Sequence, residues 1–189
     1  MKENIRHLPA MLFLVFASFP LAAGELSDID NYHQYSPYFS SSGQPSAKQL
    51  KALSEAGFKR VIYIAFSDNK SAIVAEDRVV KSLGMDYLHI PVDFDRPMLE
   101  DFEDFAAVLN RDKGLRTLLH CQINLRASAF SFLYRVIYGG VPMQDAKADL
   151  DAIWQPDKVW FQFIVDVLKK HGLSEECDGC DWGSNEFKD

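Results

Sequence analysis

The chain has 189 residues, 48% of them apolar and 25% charged, with a formal net charge of −7. That length suits one well-packed domain rather than two, and the composition excludes wholesale disorder. An acidic chain is a poor match for nonspecific binding to nucleic acid or anionic membranes, so any anionic ligand needs a locally positive pocket.

In chain order, Lys2 and Arg6 precede the apolar run MLFLVFASFPLAA (11–23), and the small residues Ala22, Ala23 and Gly24 follow. A charged start, an apolar stretch and small residues predict a signal peptide over residues 1–23. The 13 apolar residues would cover roughly 20 Å as a helix, short of a ~30 Å hydrocarbon core, so no stable membrane anchor is expected after cleavage. Export is therefore expected, to the periplasm if the source is a Gram-negative bacterium.

Residues 24–45 are turn-rich and read as an irregular lead-in to an α/β domain over 46–172. A helix is predicted over 46–58, capped by Ser46 and stopped by Gly57. The β-branched run RVIYIAF (60–66) predicts a buried strand, and 71–84 a helix ending at Gly84. A second strand follows over 86–92, then an acidic turn, DFDRP (93–97). Leu99, Phe102, Phe105, Ala106 and Leu109 form one stripe of a helix over 98–114. The third strand, 115–121, leads into a loop and a helix over 127–138, with further helices over 143–153 and 157–171. Trp154, Trp160, Phe161 and Phe163 stand at helical spacings suited to core packing. His33 and His89 lack ligand-spaced companions, and the polar tail is 173–189. Strands alternating with helices predict three layers, a central mostly parallel sheet flanked by helices. In such sheets ligands bind beyond the carboxyl ends of the strands, where both the acidic turn and the 121–126 loop begin.

That loop carries the chemistry. Cys121 at a strand end, followed by a helix beginning near Arg126, would face an inward-pointing nest of amides backed by the helix N-terminus. Such a field favours the nucleophilic thiolate. Asn124 tolerates the left-handed conformation the turn needs. Arg126 offers a planar fork to an oxyanion, and His120 stands where its ring or backbone holds the loop in shape. The alternative for Cys121 is a small buried hydrophobe.

The segments GQPS…EAGFKRVI (43–62), YLHIPVDFDRP (87–97) and HCQINLRASAF (120–130) together resemble a bacterial family of phosphatase-like domains. That family is related to the cysteine-dependent protein tyrosine and dual-specificity phosphatases and is also found joined to metallo-β-lactamase-like hydrolases. The resemblance covers roughly residues 36–170 and implies a protein tyrosine phosphatase-like fold. It further implies Cys121 as nucleophile through a phosphocysteine intermediate, with phosphate held by Arg126, His120 and the segment Gln122, Ile123, Asn124, Leu125 and Ala127. Asp95, or else Asp93, would protonate the leaving group, and Ser128 would assist thiolate departure. The ligand would be a phosphorylated small molecule or a phosphoprotein, with no cofactor and no metal.

The phosphatase pattern places its arginine six residues after the cysteine, whereas here Ala127 holds that position and Arg126 comes one residue early. Ser128 keeps the phosphatase register. The Cys-x4-Arg spacing also resembles rhodanese-like sulfurtransferases, which carry a persulfide on the cysteine. Phosphate hydrolysis, sulfur transfer from Cys121, and a non-catalytic anion- or protein-binding module therefore all remain open. Tyr32, Tyr35, Tyr38 and Phe39 are candidates either for packing or for an aromatic pocket rim. In the tail, Cys177 and Cys180 read as a local disulfide, or as redox partners of Cys121.

Overall fold

The computed structural model describes residues 26–183, so the signal-peptide reading of 1–23 lies outside the described residues. The strands are β1 (His33–Ser36), β2 (Phe39–Ser42), β3 (Arg60–Tyr63), β4 (Asp86–His89) and β5 (Thr117–His120). The helices are α1 (Ala47–Glu55), α2 (Glu76–Ser82), α3 (Leu99–Arg111), α4 (Leu125–Ile137), α5 (Met143–Asp151) and α6 (Lys158–Lys170). The sheet runs β1-β2-β5-β3-β4, parallel throughout except for the antiparallel β1–β2 edge. This is the three-layer, mostly parallel architecture that the alternation of elements predicts.

Burial on both faces explains why the central strands read as continuous apolar runs. Val61 and Leu118 pack with Leu50, Leu53, Phe58 and Val80 beneath α1 and α2. Their chain neighbours Ile62 and Leu119 point the other way, among Phe102, Phe105, Phe130, Trp160 and Ile164 of α3, α4 and α6. Ser46 caps α1 as expected, in a reciprocal box with Gln49, and Asp157 caps α6 through the Trp160 amide at 2.9 Å. Trp160 is fully buried and donates from its indole to the Phe94 carbonyl at 2.9 Å, which pins the acidic turn to α6.

Three expectations need correction. The lead-in is not irregular throughout: residues 33–42 form a hairpin, and β2 pairs in parallel with β5. Ser40, Ser41 and Ser42 are buried there, each satisfied by a hydroxyl bond: Tyr32 to Ser40, Tyr35 to Ser41, and Ser42 to the Gly43 carbonyl. Regular helix in the 71–84 segment is confined to Glu76–Ser82, preceded by turns and by Ala75 in the left-handed region at φ 57°. Helix α4 begins at Leu125, two residues before the predicted start, which puts Arg126 inside its first turn.

Candidate active site at the cysteine loop

Strand β5 ends at His120, and only Cys121, Gln122, Ile123 and Asn124 separate it from α4. Asn124 makes the reversal at φ 73°, a conformation asparagine tolerates better than most residues. Its side chain donates to the Asn31 carbonyl at 2.6 Å, and Asn31 donates back to the Ile123 carbonyl at 2.9 Å. The Gln122 carbonyl accepts from the Gln44 amide at 2.9 Å. Two loop carbonyls are thus engaged by the lead-in and the GQPS segment. Gly43 fits against this turn because a Cβ there would stand 2.9 Å from the Gln122 oxygen.

The first α-helical bond of α4 runs from the Ser128 amide to the Asn124 carbonyl at 2.8 Å. The amides of Leu125, Arg126 and Ala127 therefore lack acceptors one turn back within the helix, giving the loop a positive helix end. A cavity of about 240 Å³ opens here, lined by Phe94, Cys121, Gln122, Ile123, Leu125 and Arg126. Cys121 is a free thiol, almost fully buried.

Arg126 is 4% exposed. It donates to the Val92 carbonyl at 2.9 Å and to the Gln122 side-chain oxygen at 2.8 Å, and its guanidinium lies 5.7 Å from the Phe94 ring centre. Both acceptors are neutral, and its Nε has no partner among the described residues. A buried guanidinium with neutral partners favours an anion in the cavity it lines.

Of the residues expected at the site, Cys121, Gln122, Ile123, Leu125 and Arg126 meet at this cavity. Asn124 and Ala127 are buried in the turn and first helical turn. The turn after β4 contributes Phe94 rather than an aspartate. Asp93 and Asp95 border other surface depressions, and the Asp95 amide donates to Asp93 at 3.0 Å. The Ser128 hydroxyl donates to the Leu125 carbonyl at 2.9 Å and accepts from the Trp154 indole at 3.1 Å. Phe39 is core and Tyr35 packs on it; none of Tyr32, Tyr35, Tyr38 and Phe39 lines the cavity. Cys177 and Cys180 are joined to each other, not to Cys121.

His33 pairs with Asp149 at 3.0 Å, and the His89 ring lies 2.7 Å from the Ala65 carbonyl. His120 is fully buried, stacked on Tyr63 with ring centres 4.7 Å apart. Burial pushes its imidazole down to about 3, so the ring is neutral. Sequence reasoning missed Phe94, whose only signal was its place between the two aspartates, and Glu76, which lies 3.3 Å from His120.

Residues 17–153 match the family model described as a DSP-PTPase phosphatase fused to NAD+ kinase. Among solved structures, a phosphatase-type DUF442 protein from Shewanella putrefaciens CN-32 is 35% identical, with TM-score 0.72, covering 78% of this chain and 97% of that one. Tk-PTP in its active form shares the fold at 15% identity and TM-score 0.64, over 74% of this chain and 97% of its own. TpbA of P. aeruginosa, solved in complex with pTyr, shares it at 20% identity and TM-score 0.54, over 64% and 72% of the two chains. No curated protein matches. Since the family match spans most of the chain, the protein belongs to the DSP-PTPase phosphatase family described as fused to NAD+ kinase.

Proposed function

We propose that the protein is an exported cysteine-dependent phosphatase acting on a phosphomonoester. The Cys121 thiolate attacks phosphorus, the S–P bond forms as the ester P–O bond breaks, and the leaving oxygen takes a proton. Water then attacks the phosphocysteine, releasing inorganic phosphate and restoring the thiol. Arg126 and the first-turn amides of α4 stabilise the equatorial oxygens. Asp95 supplies the proton, with Asp93 as the alternative; a closing movement of the 93–97 turn, which Phe94 already brings to the cavity, would carry the acid inward. Ser128, one turn along α4, assists thiolate departure.

The observation that carries this reading is the buried Arg126, whose unpartnered Nε shares one cavity with the Cys121 thiol. Export is supported by the sequence of residues 1–23 and by the Cys177–Cys180 disulfide, which suits an oxidising compartment. An aryl phosphate is the first probe, because TpbA was solved with pTyr. Hydrolysis that disappears in Cys121→Ser supports the phosphatase reading. Thiocyanate formed from thiosulfate and cyanide would replace it with sulfur transfer, for which the early arginine argues. Phosphate binding without turnover of either kind would leave an anion-binding module.

A further inference from the structure

A second buried polar cluster stands beside the cysteine loop. Gln44 from the GQPS segment, Glu76 from the start of α2 and His120 from the end of β5 converge there. The Gln44 side-chain amide donates to Glu76 Oε1 at 2.9 Å, and the same oxygen lies 3.3 Å from His120 Nε2. Glu76 is 4% exposed and His120 fully buried. Glu76 Oε2 and both His120 nitrogens lack an aligned hydrogen bond among the described residues, the 3.3 Å approach being a contact, while the Tyr87 hydroxyl stands beside Glu76 and the Cys121 backbone beside the His120 ring. Ala75, immediately before Glu76, is held in the left-handed region at φ 57°. Non-glycine residues held in the left-handed region cluster at functional sites, where the surrounding structure holds them there.

We propose that Glu76 is a positioning residue for the cysteine loop: in contact with His120, it buttresses the strand end behind Cys121. By gaining or losing its proton it couples the reactivity of that thiol to pH. The inference rests on the reading of Cys121 as the nucleophile.

Among the described residues no fixed positive charge contributes at the Glu76 carboxyl. Tyr63 from β3, Tyr87 from β4 and His120 from β5 surround it; His89 stacks on Tyr63 beyond them, and Asp77 on the same helix acts on Tyr87. Gln44 is uncharged, and the α1 pair Lys51 and Glu55 is exposed. Burial accordingly pushes the Glu76 carboxyl up to about 7. While it is protonated, the cluster is neutral, and the α4 N-terminus and Arg126 dominate the field at Cys121. Once ionised, it places a negative charge against the residue that precedes Cys121, and this opposes a second negative charge on sulfur. Tyr63, stacked on His120, feels Glu76, Arg126 and Cys121 together, which puts all three within one electrostatic neighbourhood.

The test is a titration of the Cys121 thiolate by its ultraviolet absorbance, each protein being read against its own Cys121→Ser counterpart. At an effective dielectric of about 20, a unit charge as far as about 15 Å away changes ionisation roughly fivefold. The Glu76→Gln protein is therefore expected to form its thiolate at lower pH than wild type. The gap should open only above about pH 7, where Glu76 is ionised. Superimposable curves for the two proteins, or no Cys121 thiolate signal at any pH, would each overturn the proposal. Aryl phosphate turnover is measured in parallel. A thiolate shift without hydrolysis overturns the phosphatase reading and retains the role of Glu76; hydrolysis without the shift does the reverse.

Discussion

Replacing Glu76 with glutamine should alter stability in a pH window set by burial. The folded protein holds the Glu76 proton up to about 7, whereas the unfolded chain releases it near 4.5. Between these values the folded state binds more protons, so wild-type stability falls as pH rises. The contribution is complete below 4.5 and gone above about 7. At about 1.4 kcal/mol per pH unit, the whole displacement is worth up to about 3 kcal/mol. His120 works in the opposite sense, because its imidazole stays neutral down to about 3 and its contribution is lost as pH falls through the range below 6.5. The two limbs offset each other in wild type, and removing Glu76 exposes the rising limb of His120. Urea unfolding of both proteins from about pH 4.5 to about pH 8 reads the difference. Wild type should lose stability relative to the glutamine variant across the window, then run level with it. Parallel curves throughout would refute the assignment of a buried, protonated Glu76.

Arg126→Lys keeps the charge but loses the fork that reaches both Val92 and Gln122. Phosphate affinity, read by calorimetry, should fall about tenfold or more, with about 1–3 kcal/mol of stability lost to the stranded acceptors. Asp95→Asn should remove the limb of the pH–rate profile that belongs to the general acid; an unchanged profile, with that limb lost instead in Asp93→Asn, would move the role to Asp93. Cys121→Ser should abolish hydrolysis of an aryl phosphate, and activity that survives it would remove the thiol from the mechanism.

The parts of the fold legible in the sequence are those with a strong local signature. Strands β3 and β5 are apolar on both faces, and the Phe102, Phe105 and Leu109 stripe faces the core as its spacing demands. The hairpin of β1 and β2 is not legible, because beside Phe39 the buried positions of β2 are serines whose pairing with tyrosines is tertiary. Tyr32 reaches Ser40 and Tyr35 reaches Ser41 only once the hairpin has closed. Glu76 was hidden for a related reason. Placed between Ala75 and Asp77 it reads as an ordinary first-turn acid of an exposed helix, and nothing local signals that Gln44 and His120 will enclose it.

The early arginine is the point where sequence and structure inform each other most. Read alone, Arg126 looks like the phosphatase arginine displaced by a deletion. In the folded chain the loop is short because α4 starts at Leu125, and Asn124 makes the reversal in the left-handed region. Arg126 therefore projects from the first turn of a helix and is fixed at two points, one in its own loop and one at Val92 beyond β4. That second tether joins the anion loop to the segment carrying Asp93, Phe94 and Asp95. An anion that drew the guanidinium away from the Val92 carbonyl would loosen one of two ties on the turn holding the proposed acid, the other being Trp160 to the Phe94 carbonyl. On the proposed function, this tether would link anion binding to the placement of the acid. On this account Arg126→Lys should impair the acid-dependent limb of the pH–rate profile as well as phosphate affinity. A variant that lost affinity alone would show that the tether to Val92 is merely structural.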